Sequence, residues 1–274
     1  MKKHCDFLLN AGVHSIYALG TTGEVLLLSH EERKQVAELL VEHVAGRVPV
    51  YVQVGAIPTK NACDLAKHAE DIGADGIGAV TPYYFHVDQR EMKQYFMDIS
   101  RSISDDFPMY LYNLPGCTTN DLLPETIGEL AEVDNIIGIK NSMGDFSRLM
   151  DLLQFSSDRF EILLGNDLLL MSGLISGVKG GVSGNANVFP ELFVKLYDAT
   201  MANDLETARK CQSHIAKVVK VLKDGANFAY FKEALHFRGF KKTYTRKPLP
   251  RPDQQEIERL NRELEQITLS MKEL

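Results

Sequence analysis

The sequence predicts an α/β protein folded as a (β/α)8 TIM barrel with a C-terminal helical extension. Three features carry that prediction. Short apolar runs alternate with helical stretches from residue 14 to about residue 201, which is the pattern of a parallel sheet. The runs end in polar, glycine-bearing segments: Gly-Thr-Thr-Gly-Glu at 20–24, Thr-Pro-Tyr-Tyr at 81–84, Tyr-Asn-Leu-Pro at 112–115, Lys-Asn-Ser at 140–142, Gly-Asn-Asp at 165–167 and Ser-Gly-Asn at 183–185. A barrel carries its chemistry on that edge and its stability on the other, whereas a doubly wound sheet, the alternative, uses mainly the loops at one switch point. Finally, the apolar run Ile136-Ile137-Gly138-Ile139 leads straight into Lys140, as a strand buried on both faces does.

Each element follows from local chemistry. Residues 1–11 place apolar side chains at 7, 8 and 11 ahead of Gly12, a helix with its C′ glycine. The strand at 14–19 precedes a helix opened by Ser29, with Glu32 three residues on as a capping box. Strands then follow at 49–54, 76–80, 108–112, at the run ending with Lys140, at 161–164 and at 179–182; helices fall at 60–72, 88–103, 123–132, 145–155, 168–176 and 190–201. Three more helices, near 203–222, 226–238 and 253–270, form the extension, so the domain division is 1–201 and 202–274. The last helix spaces Ile257, Leu260, Leu264 and Ile267 by three and four residues over two heptads only, which favours docking on the barrel or its neighbours over a free coiled coil.

Composition removes several function classes. The chain has 274 residues, a formal net charge of −7 and a pI near 5.6, which disfavours non-specific binding to nucleic acid or an anionic membrane. Cys5, Cys63, Cys117 and Cys211 are far apart with no CxxC pair, pointing to free thiols in a reducing compartment. With no signal-peptide core and no long apolar window, a cytoplasmic location is expected. The histidines form no HxH, HExxH or Cys/His cluster, and His86 alone lies on the catalytic edge, so no metal site is expected. The glycine turn at 20–24 lacks the Lys-Ser/Thr of a P-loop, and neither GxGxxG nor GxSxG occurs; no nucleotide cofactor and no serine hydrolase is implied.

What remains is a lysine. An amine at the mouth of a barrel can attack carbonyl carbon once it is neutral, and burial favours the neutral form. Tyr112 ends the preceding strand, roughly 5 Å away, where a phenol can pass protons during imine formation. The turn at 20–24 offers backbone N–H groups and the hydroxyls of Thr21 and Thr22 to a carboxylate.

In this order and on these strands, the segments GTTGE, VTPYY, YNLP, GIKNS-GD and GND resemble the pyruvate-dependent class I aldolase family, which includes dihydrodipicolinate synthase, N-acetylneuraminate lyase and 2-keto-3-deoxygluconate aldolase. The resemblance spans the whole chain. It implies that Lys140 forms a Schiff base with the keto carbon of pyruvate and that Tyr112 donates and accepts protons, with Thr21 and, from a neighbouring subunit, Tyr84 as relay partners. Thr22 and the backbone at Val182 resemble the contacts to pyruvate, no cofactor is needed, and the implied assembly is a homotetramer or homodimer.

Three departures shape the expectation. The family's opening strand precedes its first helix, and this sequence starts at that helix; a late start codon or a shortened chain would leave seven strands and two unpaired edges, an aggregation liability. Where the synthases carry an arginine for the aldehyde's carboxylate, this chain has Cys117, which cannot clamp a carboxylate in bidentate fashion. Where sialic acid lyases carry Asp-Glu, it has Asp167-Leu168. Ser142, beyond the lysine, offers a hydroxyl to a polyol, and Gly165 and Asp167 are further candidate substrate-binding residues. The expected reaction is reversible cleavage of a 2-keto-3-deoxy sugar acid to pyruvate and an aldehyde. The alternatives are 4-hydroxy-tetrahydrodipicolinate synthesis, N-acetylneuraminate cleavage and non-catalytic binding of a 2-keto acid.

Overall fold

A computed structural model of the chain describes residues 1–225 and 227–274. Its centre is a parallel sheet of seven strands in sequential order: β1 (Ile16–Ala18), β2 (Val50–Gln53), β3 (Gly76–Val80), β4 (Met109–Asn113), β5 (Ile136–Asn141), β6 (Glu161–Leu164) and β7 (Gly180–Gly181). The sheet curls. A Cβ added to Gly184, just past β7, would stand 2.6 Å from Thr22 Oγ1, just past β1, so the first and last strand ends face each other. Yet β1 and β7 pair only with β2 and β6, and a cleft lined by Ile16, Tyr17, Gly180 and Gly181 separates them. Among the described residues the curled sheet is open along that seam, with β1 and β7 as its edge strands.

Helices cover the outside of the sheet: α1 (Lys2–Asn10), α2 (His30–Val44), α3 (Thr59–Asp71), α4 (Gln89–Ser100), α5 (Pro115–Thr118), α6 (Pro124–Leu130), α7 (Phe146–Leu153), α8 (Leu170–Ser176) and α9 (Pro190–Met201). Their starts follow the capping chemistry. Ser29 and Glu32 form the reciprocal capping box of α2, Asp88 caps α4, and proline occupies the first turn of α5, α6 and α9, where its missing N–H costs no hydrogen bond. The core lies between sheet and helices; Ile77, Leu111, Ile139 and Ile162 on the strands and Phe96 and Ile99 on α4 are wholly buried, each stabilising the fold by roughly 1.5–3 kcal/mol.

Helices α10 (Leu205–Val221), α11 (Phe228–Phe237) and α12 (Gln254–Ser270) close the chain. Leu260, Leu264 and Ile267 of α12 are buried in the same core, against α10 and α11, so the last helix docks as its spacing predicts. The segment between α11 and α12 straps back over the barrel: Arg246 makes two hydrogen bonds to Glu32, at 2.7 and 2.9 Å, and its backbone N–H donates to Glu24 at 2.8 Å.

The structure differs from the sequence expectation at the ends of elements. The first strand is shorter because His14 and Ser15 are exposed, and the last is reduced to Gly180–Gly181. Helix α5 is an addition, one turn started by Pro115 immediately after β4.

Candidate active site

Strands β4 and β5 pair in register, Tyr112 opposite Lys140, which places both side chains on the same face of neighbouring strands. Both are buried. Lys140 Nζ stands 3.9 Å from the centroid of the Tyr112 ring, within cation–π range. The Tyr112 hydroxyl lies 3.2 Å from Thr21 Oγ1, a hydrogen bond across the barrel from β4 to the turn after β1.

That turn is tightly held. Thr21–Gly23 form a single 3-10 turn, and Glu24 follows in the left-handed region at φ 59°, a conformation that costs a non-glycine residue about 1 kcal/mol or more. Its carboxylate is buried, bridged by Lys232 at 3.0 Å and hydrogen-bonded by the Arg246 N–H. The C-terminal segment therefore fixes the backbone that presents Thr21 and Thr22.

Lys140, Tyr112, Thr21, Thr22 and Val182 line one cleft of about 490 Å³. Lys232, Arg246 and Glu24 also line it; there Lys232 is paired with Glu24 and the Arg246 guanidinium with Glu32. Val182 is set by its N–H, which donates to Leu164 O at 2.7 Å.

Ser142 and Gly165 stand just behind the lysine rather than along the cleft. A Cβ on Gly165 would fall 1.9 Å from Ser142 Oγ and 3.0 Å from Lys140 Cε, so only glycine leaves room there. Asp167 Oδ2 accepts hydrogen bonds from Ser183 Oγ at 2.7 Å and from Asn185 Nδ2 at 2.6 Å, tying the end of β6 to the loop after β7. Cys117 is exposed on α5, and His86 is exposed on the loop after β3.

Tyr84 is held apart from this group. Its side chain is 80% exposed on a backbone at φ 74°, and its ring meets Phe85 edge-on at 4.9 Å. Buried Asn120 clamps the loop: its Nδ2 donates to Pro82 O at 2.9 Å and Phe85 O at 2.8 Å, while its Oδ1 accepts from Val87 N at 3.0 Å. A rigidly held, outward-facing aromatic pair is suited to contact another molecule.

Sequence reasoning did not single out Tyr17, Lys232, Arg246 or Asn120. The first stands on β1 with its ring centroid 5.1 Å from Lys140 Nζ. Only the alternation of inward residues along the strand could have pointed to it. Lys232 and Arg246 lie far from the lysine in sequence and reach the cleft through tertiary folding, and Asn120 acts on the Tyr84 loop. Among the described residues no three His, Cys, Asp or Glu side chains gather as a metal ion would require, and no helix is long and apolar enough to cross a membrane.

Comparison with known proteins agrees with this geometry. The model of the dihydrodipicolinate synthetase family matches residues 1–267. The 4-hydroxy-tetrahydrodipicolinate synthase of Desulfotalea psychrophila is 38% identical over 269 residues, covering 98% of this chain and 88% of that protein. An uncharacterized DapA-like lyase of Halobacterium salinarum is 39% identical over 246 residues, covering 90% of this chain and 80% of the relative. Among solved structures, YagE of E. coli K12 in complex with pyruvate superposes with a TM-score of 0.93 at 30% identity, covering 98% of this chain and 91% of its own. A catalytic lysine mutant of the Ruminococcus gnavus sialic acid aldolase superposes with a TM-score of 0.93 at 27% identity, covering 99% and 90%. With a buried lysine and tyrosine paired across β4 and β5 on this fold, the chain belongs to the dihydrodipicolinate synthetase family and is a pyruvate-dependent, Schiff-base-forming lyase.

Proposed function

We propose that the chain cleaves a 2-keto-3-deoxy sugar acid reversibly to pyruvate and an aldehyde, through an imine on Lys140. The observation that carries this reading is the buried Lys140 amine against the Tyr112 ring, whose hydroxyl is bonded to Thr21. The neutral amine adds to the C2 carbonyl; the carbinolamine loses water and becomes a protonated imine. Deprotonation of the C4 hydroxyl then breaks the C3–C4 bond, and the electron pair moves into the iminium to give an enamine as the aldehyde leaves. Proton return to C3 and addition of water release pyruvate and the free amine.

In this reading Tyr112 moves the protons, Thr21 and Tyr84 of a neighbouring copy complete the relay, Thr22 holds the carboxylate, and the Val182 backbone is a further contact to pyruvate. The exposed, clamped Tyr84 supports a homodimer or homotetramer. We assign Ser142, Gly165 and Asp167 to the polyol portion from their places in the sequence; Ser142 and Gly165 stand behind Lys140 rather than along the cleft. Cys117 in place of a cation argues against a second substrate with its own carboxylate. The division into a barrel over 1–201 and an extension over 202–274, and a cytoplasmic location, belong to the same proposal.

A second reading, 4-hydroxy-tetrahydrodipicolinate synthesis, is favoured by the printed activity of relatives such as the Desulfotalea enzyme. A screen of pyruvate release across 2-keto-3-deoxy sugar acids, run beside condensation of pyruvate with aspartate semialdehyde, separates the two. Release from a sugar acid with little condensation supports the lyase. Efficient condensation with no sugar-acid cleavage replaces it with the synthase.

A further inference from the structure

The strand that opens the sheet carries a phenol for which the proton relay has no use. Tyr17 projects from β1 into the barrel interior, its ring centroid 5.1 Å from Lys140 Nζ and its plane edge-on to Tyr112 at 6.1 Å and 84°. It lines both the cleft that holds Lys140 and the adjoining cleft along the seam between β1 and β7, where Tyr110, Tyr51 and Glu161 also lie.

Room for it comes from β3. A Cβ on Gly78 would stand 2.1 Å from the Tyr17 hydroxyl and 2.8 Å from two ring carbons, so the tyrosine fits only because that position lacks a side chain. The hydroxyl itself is buried with no hydrogen-bond partner among the described residues. Burial also pushes its pKa well above the ordinary phenol value, which keeps it a neutral O–H. It is the ring that stands beside Lys140.

We infer that Tyr17 is a positioning residue for the imine lysine: its ring, braced over Gly78 and against Tyr112, holds the Lys140 amine at one approach to the keto carbon. Two aromatic rings packed around one amine, at 3.9 and 5.1 Å, restrict where the four-carbon stem can swing, and displacement of a reacting group by about 1 Å can cost on the order of 100-fold in rate. The carboxylate end of the substrate is held elsewhere, by Thr22, so loss of the ring acts on the rate of imine formation more than on the half-saturating pyruvate concentration. This inference rests on the Schiff-base chemistry of Lys140.

The test measures the single-turnover rate of borohydride trapping with pyruvate in Tyr17→Leu and Tyr17→Phe, beside thermal melting. Tyr17→Leu is expected to slow trapping about 10- to 100-fold with the half-saturating pyruvate moved less than about 3-fold, and Tyr17→Phe to restore the rate to within about 3-fold of the wild type. Gly78→Ala pushes on the same ring from the opposite side; it is expected to slow trapping, with partial recovery in the Gly78→Ala/Tyr17→Phe double variant, and it reports independently should Tyr17→Leu fail to fold. Equal rates for wild type, Tyr17→Leu and Gly78→Ala overturn the inference, as does a Tyr17→Phe rate as low as that of Tyr17→Leu. Failure of the wild type to trap at Lys140 overturns the Schiff-base chemistry instead, a distinguishable result.

Discussion

Lys140 Nζ rests 3.9 Å from the centroid of the Tyr112 ring, a relationship fixed by the in-register pairing of β4 with β5. The pairing is rigid because both strands are flanked by further strands, β3 and β6. Lys140 and Tyr112 are therefore positioned by the sheet itself, not by a loop.

Tyr112→Phe keeps that ring and removes only the hydroxyl bonded to Thr21. Turnover should fall about 100- to 10,000-fold, the range for loss of a positioned acid–base group. Stability should change by only about 1 kcal/mol, the worth of one hydrogen bond. Thr21→Val leaves the phenol in place, and its loss of turnover should be smaller. Steady-state kinetics with melting curves check both; equal losses for the two variants would contradict the assigned roles.

At Gly165 the close approach of Ser142 Oγ and Lys140 Cε leaves no space for a methyl group. Gly165→Ala should displace the lysine and reduce turnover about 100-fold. Ser142→Gly in the same chain removes the tighter contact but not the one to Lys140, so recovery should be partial. Kinetics of the single and double variants measure the coupling.

Cys117 occupies the place where the synthases carry an arginine. If the sugar-acid reading holds, Cys117→Arg should raise condensation with aspartate semialdehyde and lower sugar-acid cleavage, because an arginine there offers a bidentate carboxylate clamp. The ratio of the two activities, measured on one preparation, is the readout.

Asp64, between α2 and α3, gives a pH prediction. The hydrogen bond from Lys34, at 2.7 Å, and a second from His30 lower its pKa to about 2. The folded pKa lies below the unfolded value of about 3.9, so the pairing stabilises the fold above about pH 4 and that contribution is lost as pH falls toward 2. The Asp64 side chain is 51% exposed, and solvent screening limits the effect to less than about 1 kcal/mol. Asp64→Asn should lower the melting temperature slightly at pH 7 and by less near pH 2, where the folded carboxylate is half protonated.

The parts of this fold that were legible in the sequence are those governed by local chemistry. Ser29 and Glu32 form the capping box they spell, and the strands at 76–80 and 161–164 have the bounds read from their apolar runs. The strand ending in Lys140 runs on by one residue to Asn141. Legibility failed where distant segments act. Glu24 takes a left-handed backbone because Lys232 and Arg246 anchor it from more than 200 residues away, and no local pattern encodes that. Tyr17 reads as an ordinary strand residue until Gly78, on a strand that is not its neighbour, makes space for its ring. Asp167 reads as a substrate contact, and its carboxylate also accepts from Ser183 and Asn185, a tie that no local pattern encodes.

The central claim is that Lys140 is the amine that captures the keto carbon. Borohydride reduction in the presence of pyruvate, followed by peptide mass spectrometry, tests it most directly. A carboxyethyl group on Lys140, absent without pyruvate and absent in Lys140→Ala of unchanged far-UV circular dichroism, is the predicted result. No adduct, or an adduct confined to another lysine, would contradict it.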